Sequence, residues 1–232
     1  MRTLTIADPA LIGRHVRREI LADSPLSYWP LTESSGNAVD VVAARNGTIT
    51  GSVTRPSSST MGDGAGAGFT GSGQRINIAD DAVWDYSGAW TSECFARLTS
   101  LPSPLSAAAF CREGSTGSTQ RWAIGSSNGN KPIGYTANGS TYKILTGPTD
   151  WPTGQWCHIA IVSESGGTLR LYFNGTQVAS TTGAVTAASA EQLTIGSSSV
   201  NTGLWPGAVA HCAVYTSALS AARIAAHAAA GR

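Results

Sequence analysis

From Leu26 onward the chain is cut every few residues by Gly, Ser, Thr, Asn or Pro. The runs between the cuts, such as LSYWPL, QRINIA, WTSECFARL, AAAFCRE, KPIGYTA, WCHIAIVSE, TLRLYFNG and GAVAHCAVY, are too short for helices. Many short strands separated by turns bury their apolar faces by stacking as two antiparallel sheets, so an all-β sandwich is expected. The best-defined piece is TLRLYFNGTQVAS. Leu169, Leu171 and Phe173 alternate with Arg170 and Tyr172, and Asn174-Gly175 supplies the positive φ angles of a two-residue hairpin turn. At 232 residues the length suits one large all-β domain better than two small ones.

The flanks read differently. After Asp8-Pro9, the stretch ALIGRHVRREILA has helical spacing, with Leu11, Val16, Ile20 and Leu21 on one stripe and Arg14, Arg17, Arg18 and Glu19 facing away. Two readings stand: a helix packed on the sandwich, or an arm that tethers it to a larger assembly. The expected division is an arm over 1–22 and a sandwich domain over 23–232, closed by a helix over 217–230 with a Ser cap and a terminal Gly231. Ser57 to Gly73 consists mostly of small residues and reads as a loop leading into a strand.

Composition narrows the partners. Charged residues make up 12% of the chain, 15 basic against 14 acidic, so no net field draws it to nucleic acid or an anionic membrane. No run approaches the ~20 apolar residues of a membrane span. The first twenty residues lack the apolar core of a secretion signal, so a soluble chain without visible export is expected. Cys94, Cys111, Cys157 and Cys212 are scattered, with no CxxC pair or metal-ligand spacing, and buried thiols or one or two disulfides both remain open.

The order of five segments resembles the laminin G-like, concanavalin A-like family over roughly Leu21 to Gly231. They are SYWPLTESSGNAVD with ARNGTITG, then FTGSGQRINIAD, then WTSECFARL, then WCHIAIV with TLRLYFNGTQVA, and finally LTIGSSS with GAVAHCAVYTSALSAARI. The resemblance implies a jelly-roll sandwich that binds a glycan or a protein on its surface. LADSPLSYWPL behind a helical arm is especially similar to such domains in minor tail or other virion proteins of phages that infect high-GC actinobacteria. Arg outnumbering Lys by 13 to 2 agrees with a high-GC source.

The fold hosts lectins, hydrolases and purely structural modules, so individual residues must decide. Glycoside hydrolysis needs two carboxyl groups ~5 to 10 Å apart, but Glu93 has no acidic residue two or four positions away, and Asp80 and Asp81 would point to opposite sides of a strand. His158 and His211 read as strand residues, and His15 and His227 as residues on solvated helix faces. Catalytic residues are therefore expected to be absent.

Family members often hold a calcium ion between the opening and final strands. Glu33, Asp40 and Asn46 are weak candidates for it, because the final strand reads Ala210-His211 where an acidic pair is usual. Glycan binding needs aromatic faces and nearby amides. Trp122, Tyr135, Tyr142, Trp151 and Trp205, with Asn128 and Asn138, are the candidates, against an alternative in which they cap the sandwich ends. Three Asn-Gly-Thr/Ser triplets, at Asn46, Asn138 and Asn174, match the glycosylation pattern, although turn chemistry explains them more simply.

The expected function is a non-enzymatic virion module, a minor tail or capsid decoration protein. It would be made in the host cytoplasm and joined by its arm to capsid or tail proteins as a homo-oligomer. Its task would be adhesion to host-envelope glycans or reinforcement of the particle. The alternatives are a bacterial surface or secreted lectin-like module and, disfavoured, a glycosidase.

Overall fold

The computed structural model describes residues 9–57, 61, 64–86, 88–102, 106–112, 122–138, 141–183, 190–198 and 203–232. The first eight residues of the expected arm, most of the 58–63 stretch, and Gly139 and Ser140 beside Asn138 lie outside the described residues.

Two antiparallel sheets form the sandwich. The first contains β1 (Ser27–Trp29), β3 (Ala67–Thr70), β5 (Trp90–Leu98), β10 (Trp156–Ser163), β11 (Thr168–Phe173), β12 (Thr176–Thr182) and β14 (Pro206–Tyr215). Their order is β1-β14-β5-β10-β11-β12, and β3 shares the β1 edge of β14. The second sheet runs β2 (Thr48–Thr50), β4 (Arg75–Ile78), β13 (Leu193–Ile195), β6 (Ala107–Arg112), β7 (Trp122–Ser126), β8 (Pro132–Asn138) and β9 (Thr141–Thr146). The jelly-roll sandwich expected from the sequence is thus the observed fold.

Alternation along the strands sorts the side chains between two cores. Leu169, Leu171, Phe173, Ile159, Ile161, Cys94 and Val209 face inward from the first sheet and meet Phe110, Trp122, Ile124, Leu145, Ile76 and Ile78 from the second. The outer face of the first sheet is also buried. Phe95, Ala160, Val162, Tyr172, Ala213 and Tyr215 lie under two helices, α1 (Pro9–Ala22) and α2 (Ala221–Ala230), joined there by Val16, Ile20 and Ile224. The four cysteines are buried free thiols.

Local chemistry sets the boundaries. The Ser220 side chain accepts from the Arg223 amide, so α2 starts at Ala221, four residues after the expected 217. In β14 a bulge between Ala210 and Ala213 places His211 at φ +51°. The extra residue lets His211 reach the outer face while Cys212 faces the inner core. Among the described residues no helix is long and apolar enough to cross a membrane.

Asn174 and Gly175, at φ +52° and +83°, form the turn between β11 and β12 as expected. A Cβ on Gly175 would stand 3.0 Å from the Ala228 Cβ and 3.1 Å from the Ala225 Cα on α2. Gly175→Ala is therefore expected to cost about 1–2 kcal/mol through backbone strain and displacement of α2. Urea denaturation would measure it as a lower midpoint with an unchanged slope.

Candidate functional site

The outer face of the second sheet ends at the edge strand β9. Leu145 points into the core, so Tyr142, Ile144 and Thr146 point outward. Tyr142 and Ile144 are 40% and 62% exposed, unusual values for residues of their size within a strand. Ile144 pairs across the ladder with Tyr135 of β8, and Tyr142 pairs with Ala137. Tyr135 is half-buried against Ala108, Cys111 and Ala123, which fixes its ring from below. Asn138 is exposed at the hairpin end, opposite Thr141. Tyr135, Tyr142 and Ile144 thus make one outward aromatic surface, while Asn138, one step out of phase with Tyr135 and Ala137, belongs to the other face of the strand.

The other candidates are elsewhere. Asn128 lies exposed in the turn between β7 and β8, at the opposite end of β8 from Asn138. Trp122, Trp151 and Trp205 are at most 1% exposed, which corrects their reading as a sugar platform. Trp151 packs edge-on against Phe173 and Trp205, with ring centroids 4.9 and 5.3 Å apart. Trp122 packs on Phe110 and Trp90. These indoles fill the sandwich interior and have no face left for a ligand.

The calcium candidates are engaged in folding their own loop. Asp40 accepts from the amides of Tyr28, Val42 and Arg45, Asn46 accepts from the Asp40 amide, and Glu33 accepts from the Val39 amide. A hard cation needs about six to eight converging oxygens. The final strand has no carboxylate here, and its His211 side chain turns outward to the Tyr28 hydroxyl, 2.6 Å away. These residues do not fit a calcium cradle, and among the described residues no cluster of His, Cys, Asp or Glu fits a metal.

A second cluster lies beneath the helices, and the sequence reading missed it. Glu93, 1% exposed on β5, receives three groups: His158 Nε2 of β10 at 2.9 Å, His227 Nδ1 of α2 at 2.9 Å, and the Tyr215 hydroxyl of β14. His227 is fully buried, which corrects its expected solvated face. The sequence did carry a hint, since Glu93 and His227 interrupt the apolar runs WTSECFARL and AAHAAA. Neither has a partner nearby in sequence.

Hydrolysis needs a carboxyl group with raised proton affinity to act as the acid. Among the described residues, the carboxyl groups that depart clearly from the ordinary range move the other way. Arg223 and Arg18 lower Glu19, Arg45 lowers Asp81, and Arg170 lowers Glu164. For Glu93, burial pushes the value up, but His227 and His158 outweigh it and hold the carboxyl well below the usual range. Asp80 and Asp85 are each 2.8 Å from the guanidinium of the buried Arg112, which binds them as a structural ion-pair group.

The profile of the concanavalin A-like lectin/glucanases superfamily, laminin G type, matches residues 70–225, and the chain belongs to that family. A search of curated proteins by sequence gives no match. Among solved structures, domain 4 of AbnA, an extracellular arabinanase from Geobacillus stearothermophilus solved with arabinotriose, aligns with TM-score 0.66 and 16% identity. That alignment covers 88% of this chain and 98% of the domain. The botulinum neurotoxin serotype D binding domain aligns with TM-score 0.71 and 13% identity, over 91% of this chain and 52% of the toxin chain. A botulinum neurotoxin type C structure, described by its interaction with two ganglioside molecules, aligns with TM-score 0.68 and 12% identity, over 93% and 53%. This chain spans about half the length of those toxin chains. At these identities the alignments establish the shared fold.

The two classes of aromatic residue are expected to separate in stability measurements. Trp151→Ala removes a core indole and should cost about 3–5 kcal/mol, whereas Tyr142→Ala should stay within about 0.5 kcal/mol. Chemical denaturation of both variants against the wild type checks the contrast.

Proposed function

We propose that the chain is a non-enzymatic glycan-binding module displayed on a phage particle, as a minor tail or capsid decoration protein. The observation that carries the binding role is the surface on β8 and β9 formed by the exposed Tyr142 and Ile144 beside the half-buried Tyr135. Sugar C–H faces stack on flat aromatic surfaces, and the Tyr142 hydroxyl can hydrogen-bond sugar hydroxyls. Tyr135 is held by the side chains beneath it, so little freedom is lost when a ligand settles on the surface. The arabinotriose and ganglioside contacts named for the structural relatives support glycans as the ligand class.

The virion setting rests on the resemblance of LADSPLSYWPL and its preceding helix to phage tail domains. In this reading the segment before Ala22 joins the module to capsid or tail proteins, and several copies combine weak sites into firm attachment to the host envelope. One observation favours a secreted lectin-like module as a second reading: the arabinanase domain, aligned over nearly its whole length, belongs to an extracellular enzyme.

A glycan array carrying arabinan fragments and ganglioside oligosaccharides tests the binding role. The wild type should bind a subset, and Tyr142→Ala should weaken that binding about tenfold while leaving the fold intact. Absence of wild-type binding would leave particle reinforcement as the function. Cryo-electron microscopy of intact particles tests the setting: the α1 side of the module should contact the capsid or tail lattice. A purified monomer that associates with no particle overturns the virion role.

A further inference from the structure

Both ring nitrogens of His227 face acceptors. Nδ1 lies 2.9 and 3.1 Å from the two Glu93 oxygens. On the other side, Nε2 lies 2.9 Å from Asp23 Oδ2 and 3.1 Å from the Glu19 carbonyl oxygen. A neutral imidazole has one N–H and one lone pair, so it must aim the lone pair at an oxygen on one side. Only the imidazolium donates to both. We propose that His227 is a proton-dependent clamp on α1, engaged while the ring is charged and open when it is neutral.

The groups around the ring decide which side opens. β5 contributes Glu93, and β10 and β14 contribute His158 and Tyr215, both bonded to that same carboxylate. α1 and the turn after it contribute Glu19 and Asp23. α2 itself contributes Arg223, which pairs with Glu19 at 3.0 Å and Asp23 at 2.8 Å. Glu93 is buried and needs its donors, whereas Asp23 is 17% exposed and keeps Arg223. A ring with one proton therefore keeps Nδ1–H on Glu93 and turns the Nε2 lone pair toward Asp23 and the Glu19 carbonyl. Arg223 Nη2, at 3.5 Å and already held by Glu19, is too distant to satisfy that lone pair. The repulsion falls on the α1 side, and α2 stays in place.

The direction of the pH effect follows. Burial lowers the proton affinity of His227, but Glu93 and Asp23 raise it further, so the net value lies above that of ordinary histidine. The clamp is complete below about pH 6.5, the unfolded-state value, and is lost as pH rises through the raised folded-state value. Glu93, held well below the usual carboxylate range, gives up its contribution only when pH falls through that depressed value. Opening is thus an alkaline event. Val16 and Ile20, fully buried against the first sheet, would then be uncovered.

Hydrogen exchange followed by mass spectrometry, corrected for intrinsic rates, tests this on the whole protein. Between about pH 6 and about pH 9, protection of the 15–22 amides should fall about tenfold or more, with protection of the β10 amides retained. NMR titration of the His227 ring should give a midpoint above about 6.5. In Asp23→Asn the new amide can donate to the neutral ring, so α1 protection should lose its pH dependence and the His227 midpoint should fall. Unchanged wild-type protection across that range, a His227 midpoint at or below about 6.5, or wild-type pH dependence retained in Asp23→Asn would each overturn the clamp.

Discussion

A carboxylate without water must be answered by donors, and Glu93 sits in the middle of β5 with 1% of its surface exposed. Two imidazoles and a phenol, from β10, α2 and β14, supply them. That requirement organises the whole outer face of the first sheet. α2 must lie where His227 reaches the carboxylate, and α1 must lie where Asp23 and Glu19 reach the far side of His227. A face built from Phe95, Ala160, Val162 and Ala213 alone would accept a helix in many registers. The buried ionic group selects one, at the desolvation cost that attends any such group.

The inner core solves a different problem. The indoles of Trp29, Trp84, Trp90, Trp122, Trp151 and Trp205 are all buried and touch one another or the phenyl rings of Phe110 and Phe173. Many of the strands are short and rich in Ala, Gly and Thr, and such strands leave wide gaps between the sheets. Large rings close those gaps, which is why so little aromatic surface reaches the solvent. What is left outside stands out for that reason, and Tyr142 and Ile144 are the main case on the second sheet.

Local chemistry was legible from residue order. Alternation in TLRLYFNG and the paired positive φ angles of Asn174-Gly175 act within a few residues and are found where expected, whereas the equally local Ser220 cap starts the last helix four residues later than expected. The site was legible only in part. Tyr142 and Tyr135 come together because β8 and β9 form one hairpin, a nearest-neighbour pairing. Trp151 and Trp205 stand beside Pro in turn-rich sequence and look like surface residues. Their burial depends on rings contributed from 22 or more positions away, beyond any local pattern. Glu93 is farther still from its partners, which lie 65, 122 and 134 residues along the chain.

The two outer faces give the module a direction. The first sheet hides its outer face under α1 and α2. The second sheet presents Tyr142, Ile144 and Tyr135 on its own outer face, across the thickness of the sandwich. A chain anchored through α1 would therefore hold its aromatic edge away from the anchor, as a displayed binding module requires. The same separation keeps the charged, buried chemistry of Glu93 and His227 apart from the neutral surface at β9. A ligand on one side would be insensitive to protonation on the other unless α1 itself moves. The tyrosine edge and the helix-covered face thus lie on opposite sides of one core.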